Sequence, residues 1–215
     1  MFILNETNSI ANQFLAEIRD VHVQQDRLRF RRNMERLGEL LAYELSKSLD
    51  YTTKTFQTPL EKILVKMPTH APVLISILRA GIPFHQGFLN YFDQAENGFI
   101  GAYRKHEENE SEFTIAMEYH AIPSVDDRHV ILIDPMLATG RSVVSAVQTL
   151  LQCGNPRHLH IVAAIAAPEG VAYIQQHMKI DYSLWSGALD DKLNSKYYIV
   201  PGLGDAGDLA YGPKL

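Results

Sequence analysis

Apolar residues fall into two rhythms along the chain. From Asp26 to Leu49, Leu28, Met34, Leu37, Leu41 and Leu45 recur at steps of three and four with some gaps, and Arg and Glu fill the other face. That period predicts an amphipathic helix packed across the domain or against a second subunit. Thr58 and Pro59 break the pattern, and beyond them short continuous apolar runs take over. Pro72–Leu78, Phe99–Tyr103, His129–Ile133, His160–Ala167, Asp181–Trp185 and Tyr197–Val200 read as strands. Helical stretches run from the Gly81 and Pro83 punctuation to Tyr91, from Ser142 to Leu151 and from Glu169 to Met178. Phe113–Tyr119 alternates apolar and polar behind the acidic stretch His106–Glu112, as a hairpin or flap would.

Strands that are apolar throughout and alternate with helices predict an α/β fold, a mostly parallel central sheet with helices on both faces. There is no internal repeat, low-complexity tract or linker, so residues 1–215 are expected to form one domain. Within it lie an N-terminal helical segment (1–50), a flap (104–120) and a C-terminal loop (197–212). Such sheets bind ligands beyond the carboxyl ends of their strands. The loops after Leu78, Tyr103, Ile133 and Val200 are therefore the places for a site.

Composition narrows the function. With 46% apolar and 21% charged residues over 215 positions, the main state is a soluble globule rather than a disordered chain. A net charge of -5 argues against a protein that coats nucleic acid or an anionic membrane, yet leaves room for a small basic pocket. The single cysteine, Cys153, excludes an intrachain disulfide and a multi-cysteine metal site. The longest clean apolar run, Ile161–Ala167, falls far short of the roughly 18 residues of a membrane span. The N-terminus lacks the layout of a secretory signal, so the expected compartment is the cytoplasm. The histidines show no H-x-x-x-H or H-E-x-x-H spacing; His158 and His160, flanking Leu159, read as exposed strand positions rather than metal ligands.

Candidate chemistry concentrates in His129–Val144, HVILIDPMLATGRSVV. A buried strand ends in Asp134; a short loop leads to Thr139-Gly140-Arg141-Ser142 and a helix. Gly140 lets backbone approach an anion, the hydroxyls offer donors, and the helix N-terminus supplies N–H groups with partial positive charge. An ordinary capped turn shares these features; the acid at the strand end favours a ligand site. Neither the Walker nor the dinucleotide glycine pattern is present. Arg79 ends another buried strand, where its charge serves either an anionic ligand or a structural ion pair. In Pro201–Asp208 four residues of eight are Gly or Pro. Backbone so constrained forms either a tight surface turn or a surface of N–H and C=O groups presented to a ligand.

These strings resemble a known family. Asp134-Pro135-Met136-Leu137-Ala138-Thr139-Gly140 is similar to the phosphoribosyl diphosphate signature of type I phosphoribosyltransferases, in the Asp-Pro form of the uracil phosphoribosyltransferases. Ile77-Leu78-Arg79-Ala80-Gly81, Tyr103-Arg104, Ala166-Ala167-Pro168-Glu169-Gly170 and the run Tyr198 to Asp208 match the same family, and the likeness extends from about Gly38 to the C-terminus. Arg141 departs from the usual Gly, and Ile82–Gly87 is less glycine- and methionine-rich than in many members.

The resemblance implies a pentosyltransferase of pyrimidine salvage, making UMP and diphosphate from uracil and 5-phospho-α-D-ribose 1-diphosphate. It implies catalytic roles for Arg79, Arg104, Asp134 and Asp205. Arg79 and Arg104 would meet the diphosphate, Asp134 the ribose hydroxyls, and the 138–142 loop the 5'-phosphate. The donor set would comprise Arg79, Arg104, Asp134, Pro135, Met136, Leu137, Ala138, Thr139, Gly140, Arg141, Ser142 and Asp205. Uracil would lie against Ile199, Gly204, Asp205 and Ala206. Mg2+ is implied through the substrate diphosphate and water rather than direct protein ligands. A GTP effector and a homodimer or higher homo-oligomer belong to the same expectation, and the flap would close to exclude water. The alternative is a pyrimidine-responsive regulatory RNA-binding protein on this scaffold, which needs a basic face that a net charge of -5 disfavours.

Overall fold

The apolar runs of the sequence lie side by side as parallel strands. In the computed structural model, which describes residues 1–106 and 113–213 with side chains outside 102–118, β4 (Val73–Leu78) pairs with β7 (His129–Ile133) and β7 with β9 (His158–Ala166). β10 (Tyr182–Leu189) flanks β9, and β5 (Glu96–His106) flanks β4, both parallel. β6 (Phe113–Ala121) turns back antiparallel on β5. β1 (Phe2–Ile3) closes the far edge against Trp185 and Ser186, with the Phe2 and Trp185 rings 5.2 Å apart. A two-residue strand, β8 (Met136–Leu137), pairs with the end of β9. The sheet order is β1-β10-β9-β7-β4-β5-β6.

Side chains alternate between the two faces of these strands, and both are covered. Leu74, Ile131, Ile133 and Val162 join one core with α1 (Ala11–Arg19), α2 (Arg27–Ser46), α3 (Ile82–Tyr91) and α6 (Ala206–Tyr211). Val73, Ile75, Val130, Leu132 and Ile161 join the other with α4 (Arg141–Leu150) and α5 (Pro168–His177). The Asp26 side chain caps α2 by accepting from the Arg29 N–H at 3.0 Å. The buried stripe of α2 is Phe30, Met34, Leu37, Leu41 and Leu45. Leu28, expected in that stripe, is exposed, because the stripe starts two residues later.

Two strand expectations are corrected. Tyr51–Gln57 (β2) and Lys62–Pro68 (β3) form an antiparallel hairpin that the pattern did not announce. Nearly all of it is exposed, so it has no buried face to impose a period. Ile199–Val200 (β12) does not join the main sheet. It pairs with Lys192–Leu193 (β11), since β1 already occupies the outer edge of β10. Among the described residues no helix is long and apolar enough to cross a membrane.

His160 is buried, not an exposed strand position, because β9 is covered on both faces. It belongs to a chain of rings at the amino ends of the strands, opposite the expected site. The Trp185 indole N–H donates to His160 Nδ1 at 3.3 Å, so His160 Nε2 carries the proton shared with His129 Nδ1 at 3.2 Å. His129 Nε2 in turn meets Asp50 Oδ2 at 3.2 Å. The chain is satisfied only with His160 neutral.

Burial, helped by repulsion from His158 and His129, lowers the His160 imidazole from 6.5 to about 3. The unfolded chain binds a proton that the fold refuses, so this contribution to stability is full above pH 6.5 and is lost progressively toward pH 3. Hydrogen bonds from Arg29, Gln13 and Asn33 lower Glu17 from 4.5 to about 2, so its loss begins only below 4.5. The window between 4.5 and 6.5 therefore reports on the histidines. Urea midpoints measured across that window should fall with acidification, and His160→Gln should flatten the slope. An unchanged slope in the variant would place the titration elsewhere.

Candidate active site

Adjacent parallel strands deliver the two central loops. From β4 the chain passes into α3 on one face; from β7 it passes into α4 on the other. Ser76 and Ile133 are register partners, so Arg79 and Asp134 leave neighbouring strands at the point where the connections diverge. The Leu78–Arg79 peptide is cis.

The loop after β7 is held by backbone. Asp134 N–H donates to the Val162 carbonyl at 3.0 Å, and the Pro135 carbonyl accepts from both Ala164 and Ile165 at 3.1 Å. Asp134 Oδ1 accepts from the Met136 N–H at 3.2 Å, and Thr139 Oγ1 accepts from the Arg141 N–H at 3.4 Å. Gly140 takes φ +75, ψ -10 immediately before α4. The reason for this glycine differs from the expected one. A β-carbon there would lie 2.7 Å from the Gly170 carbonyl oxygen on α5, not in open space for an anion. Gly170 is matched to it: its own β-carbon would collide with the carbonyl oxygens of Ala138 and Leu137. The Pro168-Glu169-Gly170 string is thus the support on which the 134–142 loop rests.

Arg79 is gripped from the C-terminal end. Its Nη2 donates to Asp208 Oδ1 at 3.0 Å and to the Gly212 carbonyl at 2.7 Å. Among the described residues its buried Nε finds no hydrogen-bond partner, nor does the Ser76 hydroxyl under the same loop. Asp205 caps α6, accepting from the Asp208 N–H at 3.0 Å. Ile199, Gly204, Asp205 and Ala206 lie on the stretch between β12 and α6, with Ile199 and Ala206 buried and Gly204 exposed. A β-carbon on Gly204 would meet nothing within 4 Å, so that side of the backbone is open. The structure thus joins the Arg79 loop to the C-terminal end directly, while Asp134 follows the strand adjacent to β4. Arg104 lies among the side chains outside the described residues, as do residues 107–112 of the expected flap.

Three residues of this region escaped the sequence reading. Asp208 passed only as part of a Gly/Pro-rich string, although it pairs with Arg79. Arg19 and Asp190 form an ion pair at 2.6 Å beside Gly202, and nothing local in the sequence links two residues so far apart. Among the described residues no cluster of three or more His, Cys, Asp or Glu is arranged to hold a metal ion.

Comparison with known proteins places this geometry in context. The family model for uracil phosphoribosyltransferase matches residues 5–213. A uracil phosphoribosyltransferase of Porphyromonas gingivalis is 50% identical over 99% of this chain and 98% of its own length. One from Thermococcus gammatolerans is 37% identical over 98% of this chain and 92% of its own. The solved structure of the AQ2163 protein from Aquifex aeolicus superimposes with a TM-score of 0.85 at 31% identity, covering 96% of each chain.

The loop and α5 meet so closely that Gly170→Ala must displace one from the other. A loss of about 1–3 kcal/mol in folding stability is expected, typical of overpacking. Gly140→Ala should add backbone strain to a similar clash, since its φ is positive. Urea denaturation of both variants checks this. Wild-type midpoints would mean that the loop has slack against α5.

Proposed function

The chain belongs to the uracil phosphoribosyltransferase family, and from that premise we propose that it transfers the 5-phosphoribosyl group from 5-phospho-α-D-ribose 1-diphosphate to N1 of uracil. The C1–O bond to diphosphate breaks, the C1–N1 bond forms, the N1 proton leaves, and UMP and diphosphate are released. The reaction serves pyrimidine salvage. The observation that carries this reading is the union of an arginine loop, an acid-ended strand with an anion-suited loop, and a glycine-rich C-terminal loop at one divergence of the sheet.

Each part has a task. The ribose ring becomes cation-like as charge builds on the leaving diphosphate, so catalysis is mainly positioning and charge stabilisation. Arg79 and Arg104 serve the diphosphate; an oxyanion at Arg79 would satisfy its unpartnered buried Nε. Asp134 accepts from ribose hydroxyls, and residues 138–142 take the 5'-phosphate through backbone N–H groups and the hydroxyls of Thr139 and Ser142. Uracil lies along Ile199 and Gly204–Ala206, read mainly by backbone. Mg2+ fits this site as an ion riding on the donor: Asp134 and Asp205 offer hard oxygen atoms for its water shell, and it would neutralise leaving-group charge.

The proposal extends to a cytoplasmic homo-oligomer with a GTP effector, and to residues 104–120 as a flap over the site. Exposed Phe56, Leu60, Ile63 and Leu64 on the β2–β3 hairpin are apolar surface that a second subunit would cover. No observation favours the RNA-binding alternative.

The deciding experiment offers a panel of bases with the sugar donor and Mg2+ and follows nucleotide formation. UMP from uracil, with no product from hypoxanthine or orotate, is expected; a purine nucleotide instead would overturn the reading. Arg79→Ala and Arg104→Ala should each lower kcat/KM for the donor by about 10²-fold or more, since each removes charge-assisted hydrogen bonds. Near-wild-type kinetics in both would remove the diphosphate assignment.

A further inference from the structure

We infer that Arg19 and Asp190 are positioning residues for the base, a half-buried ion pair that grips Gly202 by both of its backbone groups and so presets the loop that receives uracil. The inference rests on the proposed role of residues 199–206.

The pair is built for geometry. The Asp190 side chain is 4% exposed. Arg19 reaches it with both ends of its fork, Nη2 to Oδ1 at 2.6 Å and Nη1 to Oδ2 at 2.8 Å. The same two inner atoms each take a second partner, and both partners belong to Gly202. Arg19 Nη1 also donates to the Gly202 carbonyl at 3.1 Å, and Asp190 Oδ2 also accepts from the Gly202 N–H at 2.7 Å. Four hydrogen bonds thus tie three residues, and Gly202 has no backbone polar group left to pivot on. Its φ is +62, and a β-carbon would run into the Ile199 carbonyl, so the chain folds back over Ile199 at this point.

The grip is referenced to the sheet. Asp190 directly follows β10, and its N–H donates to the carbonyl of Ala166, the last residue of β9, at 2.8 Å. Asp191 N–H donates to the Val200 carbonyl at 3.1 Å. Arg19 ends α1, and Gln24 beyond it is oriented to donate to the Leu203 carbonyl at 2.9 Å. The N-terminal segment therefore backs the base loop from outside. With the Arg19 side chain 23% exposed, the pair is a poor source of stability compared with apolar packing, but its fork fixes distances and directions. Gly202 sits between Ile199 and Gly204–Ala206, the two parts of the proposed base surface. Recognition by backbone needs that surface preset, because small misplacements of positioned groups are costly.

Asp190→Asn and Arg19→Lys test this without emptying the site. In Asp190→Asn, an amide N–H2 replaces one acceptor and must face either Arg19 or the Gly202 N–H, donor against donor. In Arg19→Lys the charge stays, but a point donor cannot span Asp190 and the Gly202 carbonyl as the fork does. Each variant should raise KM for uracil by about tenfold or more while KM for the sugar donor and kcat stay within about threefold, the split expected of lost ground-state positioning. Equal rises in both KM values, or no change in either, would overturn the inference while wild-type UMP formation kept the proposed function intact. No UMP from wild-type enzyme would instead remove the function, and this inference with it. Amide hydrogen exchange on the wild type needs no variant to fold. Gly202 should be strongly protected without uracil, and Gly204 should gain protection only when uracil is added. Rapid exchange at Gly202 in the uracil-free enzyme would show that the loop is not preset and would overturn the inference.

Discussion

Two parallel strands, β4 and β7, run in register and then part to opposite faces of the sheet. That divergence is the constraint from which the site follows. Arg79 and Asp134 follow adjacent strands at the point where the departing chains separate. Strands in this position are covered on both sides, by α2 and α3 on one face and α4 and α5 on the other. Their residues are therefore apolar apart from Ser76 in β4 and His129 at the start of β7, which is also what made them visible in the sequence.

The reach of the sequence reading follows from the same physics. His129–Ile133 was expected and found as β7, and α4 and α5 start and end within about one residue of expectation, a margin usual for helix ends. The β2–β3 hairpin was missed because exposed strands owe nothing to a buried period. His160 was misjudged because alternation of histidine and leucine looks half-exposed, whereas β9 is covered on both faces. At the site, the Asp134 to Ser142 string was legible because its elements are consecutive. The grip of Asp190 on Gly202 was not, because it arises only when residues far apart in sequence meet.

Gly140 has a packing role that the sequence string does not reveal. The string suggested a glycine that lets an anion approach. In the fold its missing side chain makes room for α5, and the missing side chain of Gly170 makes room for the loop. The two glycines are complementary, so the Ala-Pro-Glu-Gly junction after β9 is part of the foundation of the 134–142 loop rather than a separate motif. On the proposed reading, an anion above that loop would meet backbone fixed from below, with its reorganisation cost already met in folding.

Arg79 carries this logic across the cleft. One nitrogen, Nη2, makes both bonds to the C-terminal end of the chain, to Asp208 on α6 and to Gly212 beyond it. The same guanidinium keeps a buried Nε without a partner. An unsatisfied buried donor costs about 1–3 kcal/mol, and an anion that reached it would recover that cost on binding. The fork geometry of arginine allows both engagements at once, which a lysine could not provide. On the proposed reading, the donor's diphosphate would then bind to a group already bonded to the helix that follows the base loop. On that reading the two half-sites would share one side chain, tying the order of α6 to the presentation of the arginine to the donor.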